Sequence, residues 1–353
     1  MVTSVTNNDD DDNVVTAPSS SPPSSVSEKK TPSESEIYDR QIRLWGAEAQ
    51  KKMRQSKVLY IHVTGVSAEI IKNLVLAGIA ATVCDPRPAS VLQDSCRCFF
   101  TPLEDGQPTK KIKYDSAAHA AQPLIEELNP LLGSCPLITK PVAELTEDDL
   151  KEFTVVVASQ IYMADAIRLS QLVTQQQGHA FYVADCFGLR GAAMIDLGKD
   201  YQYRPEIGKN LGDPTPLKDY APLSEMVQVP LHRAVNRFHK QPPSTWIMYR
   251  CLLEYQQQSQ VWLGNDPTDM AAAAKSSIQI FLKEQQVSLS DEQLEDLIMA
   301  GMAQVAPVCA VLGGVIGNEV IKIITGKGEP ANNSLLLDGD TCKVWTFLVK
   351  AKE

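Results

Sequence analysis

One stretch limits the possible folds more than any other: "KVLYIHVTGVSAEIIKNLVLAGI", Lys57 to Ile79, with "ATVCD" just after it. An apolar strand, "VLYIHV", runs into a short turn. A helix from about Ser67 then carries Ile70, Ile71, Leu74 and Val75 at inward spacing and ends near Gly78. The second strand follows at once. A strand, a helix and a strand packed this tightly make a βαβ unit with parallel strands.

The alternation continues with a strand in "FTVVVAS" (Phe153 to Ser159), a helix in "YMADAIRLSQLVTQQQG" and a strand in "HAFYVADCFG". This order specifies an α/β fold: a Rossmann-like, mostly parallel sheet flanked by helices. From about 201 to 300 prolines break the pattern, and helical segments such as "TWIMYRCLLEYQQQ" appear without strands, as in an inserted, mainly helical region. The closing part, 301–353, holds an apolar helix, "PVCAVLGGVIGNEVIKIITG", whose Gly313-Gly314 pair permits close packing. A hairpin around Asp338 to Asp340 follows it.

Residues 1–35 are mostly Ser, Pro, Asn and Asp, too poor in large apolar side chains to offset the entropy of ordering, and are expected to be a disordered tail. Order is expected from 36 onward, where "EIYDRQIRLWGAEAQKKMRQS" places Ile42, Trp45, Ala49 and Met53 at helical spacing, with Arg40 and Arg43 on another face.

The net charge of −10 disfavours a nucleic-acid groove or a polybasic membrane surface. Part of it sits in residues 1–36, where seven acids stand against Lys29 and Lys30. The eight cysteines are scattered; the close pair Cys96 and Cys98 lacks the spacer of a zinc knuckle, so free thiols in a reducing compartment are expected. With neither a signal-like apolar run nor a membrane-length one, the chain reads as intracellular and soluble.

Catalytic constellations are missing. The histidines His62, His119, His179, His232 and His239 are isolated, no Gly-x-Ser-x-Gly elbow is present, and Cys251, on an apolar helix, reads as a core cysteine. The turn "HVTGVSAE" has one glycine, whereas a phosphate-binding turn needs several, so that backbone can close on phosphate. Asp85 stands where such folds hold a ribose, and an Asp before "PRP" is equally a turn residue. Arg40 and Arg43 fit a solvated helix face; they also fit an arginine that reaches a phosphate outside its own domain.

The segments "YDRQIRLWGAEAQKKMRQSKVL", "SAEIIKNLVLAGI", "ELNP", "PVCAVLGGVIGNEVIK" and "LLLDGD" together resemble the ubiquitin-like activating enzymes of the ThiF-type adenylation fold. Within that family they look like the small subunits of SUMO-activating heterodimers. The resemblance runs from about 37 to 348 and is thin through the inserted region.

The resemblance implies that one subunit of a heterodimer keeps the ATP site while the other keeps the fold and the interface. Active members carry four glycines at the turn; in that register these positions fall on His62, Thr64, Gly65 and Ser67, so three are lost and the remnant, with Asp85, binds no cofactor. The active-site Asn, Lys and Asp fall near Cys96, Ala117 and Ile161, and Arg97 lies where the active half has an Arg. The Arg of "YDRQ", Arg40, is expected to act in trans at the partner's site, where the partner binds ATP and Mg. The implied partners are the catalytic large subunit and, through the complex, the SUMO modifier; the implied location is the nucleus. Alternatives are the small subunit of the neddylation activating enzyme, which has a larger insertion, and an autonomous homodimeric adenylating enzyme or dinucleotide-dependent oxidoreductase, either of which needs the missing glycines.

Overall fold

The computed structural model describes residues 34–104, 107–108, 114–208, 210–235, 240–264 and 271–350. Most of the expected tail and His239 lie outside the described residues. Met1–Ile37 and Tyr38–Glu353 are separate units. In the first, Glu34–Ile37 forms one helical turn, starting inside the stretch read as tail.

In the second unit the helical periodicity read across Ile42 to Met53 is broken in two: α1 (Asp39–Trp45) and α2 (Ala47–Gln55). Gly46 separates them at φ +88°, a left-handed conformation that ends α1, and its N–H closes on Ile42 O. Ala49 and Met53 are buried as expected, whereas Ile42 and Trp45 are only partly covered.

Eight strands form one sheet: β1 (Lys57–Ile61), β2 (Ala80–Cys84), β3 (Leu137–Ile138), β4 (Val155–Ala158), β5 (Ala180–Phe187), β6 (Arg190–Asp196), β7 (Ser334–Asp338) and β8 (Lys343–Thr346). Their spatial order is β8-β7-β6-β5-β4-β1-β2-β3. From β5 to β3 neighbours run parallel. The β6, β7 and β8 edge is antiparallel, so the sheet is mixed. β6 escaped the sequence reading because "RGAAMID" has little strand propensity. Its small residues meet a packing demand instead: a Cβ on Gly191 would lie 2.8 Å from Leu312.

Successive strand residues point to opposite faces, so each face has its own core. Val58, Tyr60, Val83, Val155, Val157 and Tyr182 pack beneath α3 (Gly65–Leu76), α4 (Ala117–Leu128) and α9 (Ala306–Thr325). Leu59, Ile61, Val156, Phe181 and Val183 pack beneath α5 (Met163–Thr174), α6 (Ser244–Ser259), α7 (Ala271–Glu284) and α8 (Asp291–Ala300). The region from 201 also holds short strands that were not expected: Gln202–Tyr203 pairs with Thr215–Pro216, and Glu206–Ile207 with Asn210–Leu211 around Gly208.

Helix α9 is long and apolar enough to cross a membrane, yet 67% of its most apolar window is buried inside the protein. It lies against α3 with small residues at the contacts: Cβ atoms placed on Gly65, Gly313 and Gly317 would meet Cys309 at 2.8 Å, Glu69 at 2.5 Å and Asn73 at 3.4 Å. Both contact rows advance four residues at a time in the same direction, so the helices run parallel and share one seam. Gly314 meets nothing, so of the glycine pair Gly313 alone is needed for this approach.

Candidate functional site

The turn between β1 and α3 sits at the carboxyl end of the strands, where an open α/β sheet binds its ligand. Here the chain's own side chains fill it. Thr64, at extended φ/ψ, is the N-cap, and α3 begins at Gly65, two residues before the start read from the sequence. Thr64 Oγ1 accepts from Ser67 N–H at 3.3 Å, and Thr64 N–H donates to Ser67 Oγ at 2.7 Å. This reciprocal capping box satisfies amides that a phosphate would otherwise use.

The network continues inward. Thr64 Oγ1 donates to Ser159 Oγ at 2.9 Å, Ser159 Oγ donates to Asp185 Oδ1 at 3.0 Å, and Tyr249 on α6 donates to Asp185 Oδ2 at 2.8 Å. Gln160 N–H adds a further bond to Asp185 at 2.8 Å. Thr64, Ser67, Ser159 and Asp185 are all 0% exposed. Burial pushes the Asp185 carboxyl above the usual range, and the bonds from Tyr249, Gln160 and Ser159 oppose that shift.

His62 holds the entrance at φ +68°, with Nδ1 3.1 Å from both Ser159 O and Gln160 O. Two carbonyl acceptors require that nitrogen to carry the proton. Burial, helped by the Arg87 charge, pulls the ring down to about 4, so it stays neutral.

Asp85 is equally engaged. Arg87 Nε and NH2 grip its two oxygens at 2.8 Å each, and Val63 N–H donates to it at 2.7 Å. Burial would raise this carboxyl, but the Arg87 bonds and charge more than reverse that and hold it below its ordinary range. Of the two readings left open for Asp85, the geometry is that of a turn anchored by an internal ion pair. Gly65, the retained glycine, faces Cys309 and Gln304 and serves the packing of α3 on α9. A nucleotide does not fit these residues: Thr64, Ser67 and Asp85 are fully covered and already bonded to one another's neighbours.

Cys96, Ala117 and Ile161 are buried as well. Arg97 lines a cavity of about 350 Å³ with Ser95 and Gln304. Cys251 is a core thiol pushed up to about 12 by burial. No cluster of histidine, cysteine or acid suited to a metal occurs among the described residues.

Arg40 is placed differently from all of these. It is exposed on α1 and has neither ion pair nor hydrogen bond among the described residues, whereas Arg43 pairs with Asp39 at 2.9 Å. Helix α1 buries no residue of its own and is held through its surroundings. Tyr38 just before it is buried, Gln41 donates to Leu76 O at 3.2 Å, and Gln50 on α2 donates to Ala77 O at 3.0 Å. These carbonyls are unpaired ends of α3, so the helix that opens the nucleotide-type unit also fixes the segment carrying Arg40.

The ThiF family model matches residues 38–352, nearly the whole of the described fold. The chain belongs to the ThiF family. Among curated ThiF-type relatives it is 29% identical over 315 residues to "SUMO-activating enzyme subunit 1" of Dictyostelium discoideum, covering 88% of this chain and 91% of the relative. The protein of the same name from Danio rerio is 29% identical, with 87% and 92% covered. "SUMO-activating enzyme subunit 1A" of Arabidopsis thaliana is 28% identical, with 90% and 95% covered.

For a ThiF-family chain, the residues that sequence reasoning missed are those that close the pocket: Arg87, Ser159, Gln160, Asp185 and Tyr249. Arg87 carried a signal, since an Arg two residues after the strand-end Asp can fold back on it. Asp185 and Tyr249 carried none: Asp185 is a lone carboxylate inside an apolar strand, and nothing in the sequence of α6 sets Tyr249 apart from its other polar residues.

Proposed function

We propose that this chain is the non-catalytic small subunit of a heterodimeric SUMO-activating enzyme. The observation that carries the reading is the filled turn: Thr64 bonds to both Ser67 and Ser159 at the turn where a fold of this kind would bring its backbone to phosphate. A chain of this family built so has kept the fold without the nucleotide pocket, and its work lies at an interface. The names of its relatives point to SUMO activation as the pathway.

In this reading the catalytic large subunit binds ATP and Mg, adenylates the C-terminal glycine of the SUMO modifier and takes it onto its own cysteine as a thioester. The small subunit completes the assembly and supplies Arg40 in trans. A permanently charged, forked guanidinium on an exposed helix is suited to phosphate oxygens on which charge accumulates. The complex would act in the nucleus.

The test is ATP-pyrophosphate exchange stimulated by the SUMO modifier, run on this chain alone and on the chain mixed with a catalytic large subunit. Exchange in the mixture only is the expected result. Exchange by the chain alone would refute the reading and make this an adenylating enzyme in its own right.

A further inference from the structure

Helix α1 is seven residues long and buries none of them, so neither its length nor its own packing fixes where it stands. It is tied at its two ends instead. At the far end Trp45 packs, partly covered, on the core, and Lys327 Nζ donates to Trp45 O at 2.7 Å. At the near end the anchor is Tyr38, which is buried and whose O accepts from Ile42 N–H at 2.9 Å, so the anchor and the first turn of the helix move together. Arg40 lies in that first turn, two residues after Tyr38.

What holds Tyr38 comes from a distant part of the chain. Asn129, also buried, donates from Nδ2 to the Tyr38 phenol oxygen at 2.7 Å and to Val75 O at 2.7 Å. Gln41, next to Arg40, donates to Leu76 O at 3.2 Å. Val75 and Leu76 are the last two residues of α3, so the ties on both sides of Arg40 run to one end of one core helix. Of the two, the Gln41 bond lies at the surface and the Tyr38–Asn129 bond is buried.

We propose that Asn129 is a positioning residue for Arg40: by tying Tyr38 to the end of α3 it sets where the Arg40 guanidinium stands in the partner's site. This rests on the reading that Arg40 acts there in trans. Asn129 itself touches no reacting atom. Electrostatic stabilisation of a transition state depends on groups already held in place, and a displacement of about 1 Å can cost up to about 100-fold. Without the Asn129 bond, the near end of α1 keeps only its surface tie.

The test is a double-mutant cycle in the assembled heterodimer. Adenylate formation is measured in a single turnover at saturating ATP and SUMO modifier, and affinity for the large subunit is measured alongside. Tyr38→Phe, which keeps the ring and removes the oxygen, and Asn129→Ala are each expected to slow the step by about threefold to tenfold. Neither should exceed Arg40→Ala, since a misplaced arginine keeps part of what a missing one loses. In the Arg40→Ala background neither change is expected to slow the step further, whereas a role confined to stability or assembly would act equally in both backgrounds. If Asn129→Ala fails to assemble, Tyr38→Phe decides the matter. Equal slowing in both backgrounds, or a parental rate for Tyr38→Phe with Arg40 present, would overturn the proposal and leave the trans reading standing. A parental rate for Arg40→Ala would overturn that reading and the proposal with it.

Discussion

Asn129 donates through Nδ2 to the phenol oxygen of Tyr38 at 2.7 Å and to Val75 O at 2.7 Å. Tyr38 opens "YDRQ" and Asn129 belongs to "ELNP", so two motifs 91 residues apart meet at the end of α3. Both side chains are buried, and Gly78 leaves room for the tyrosine: a Cβ there would lie 3.0 Å from its ring. Tyr38→Phe leaves one Asn129 N–H without an acceptor and is expected to cost about 1–2 kcal/mol; Asn129→Ala also strips a carbonyl partner and is expected to cost more. Urea denaturation of the two variants measures this. Equal stability of both with the parent would show that the pair does not hold α1.

Arg40→Ala tests the exposed arginine. It is exposed and has no hydrogen bond or ion pair among the described residues, so stability should stay within about 0.5 kcal/mol of the parent. Adenylate formation by the heterodimer should fall about tenfold or more, the scale of a lost electrostatic contact to reacting phosphate. Arg43→Ala breaks only an exposed pair with Asp39 and should leave the rate nearly unchanged. Single-turnover kinetics with assembled heterodimer distinguishes the two, and an unaltered rate with Arg40→Ala would remove it from the mechanism.

Gly313 and Gly314 are adjacent but face different surroundings. Gly313→Ala places a methyl 2.5 Å from Glu69 Cβ on α3 and should cost about 1–3 kcal/mol. Gly314→Ala meets nothing and should stabilise by up to about 1 kcal/mol through helix propensity. Thermal unfolding of the pair reads the sign directly; a destabilised Gly314→Ala would show that the seam extends further than the glycine contacts indicate.

His62 gives the fold an acid-sensitive point. Its pKa is held at about 4 in the folded state against 6.5 in the unfolded chain, so between these values the unfolded state binds the extra proton. The stabilisation is complete above about pH 6.5 and is lost as pH falls toward 4. The loss is about 3 kcal/mol from this group alone. Asp85, whose pKa is lowered, loses its contribution in the same direction. His62→Asn should flatten the pH dependence of the urea midpoint between pH 7 and 4, and an unchanged slope would mean that His62 is not the group responsible.

The legible part of the protein was its framework. Apolar periodicity marked β1, α3 and β2, and the turn residues marked the hairpin of β7 and β8. The shortage of glycine at "HVTGVSAE" was enough to doubt a nucleotide pocket, because glycine's missing side chain has no substitute where backbone must close on phosphate. What occupies that space was not legible. Thr64 is bonded to Ser159, 95 residues away; Ser159 to Asp185, 26 residues on; and Asp185 to Tyr249, 64 residues further. No local pattern announces such partners.

The sequence by itself therefore determined the layered α/β frame, since burial of apolar faces obeys local periods of two and 3.6 residues. It also determined which residue types could not hold phosphate. Only the tertiary structure decided what these residues do: that Asp85 is held by Arg87, that Gly65 serves α9 and that Arg40 is left exposed. Hydrogen bonds and ion pairs act over about 3 Å between groups far apart in sequence, and the fold alone brings those groups within reach.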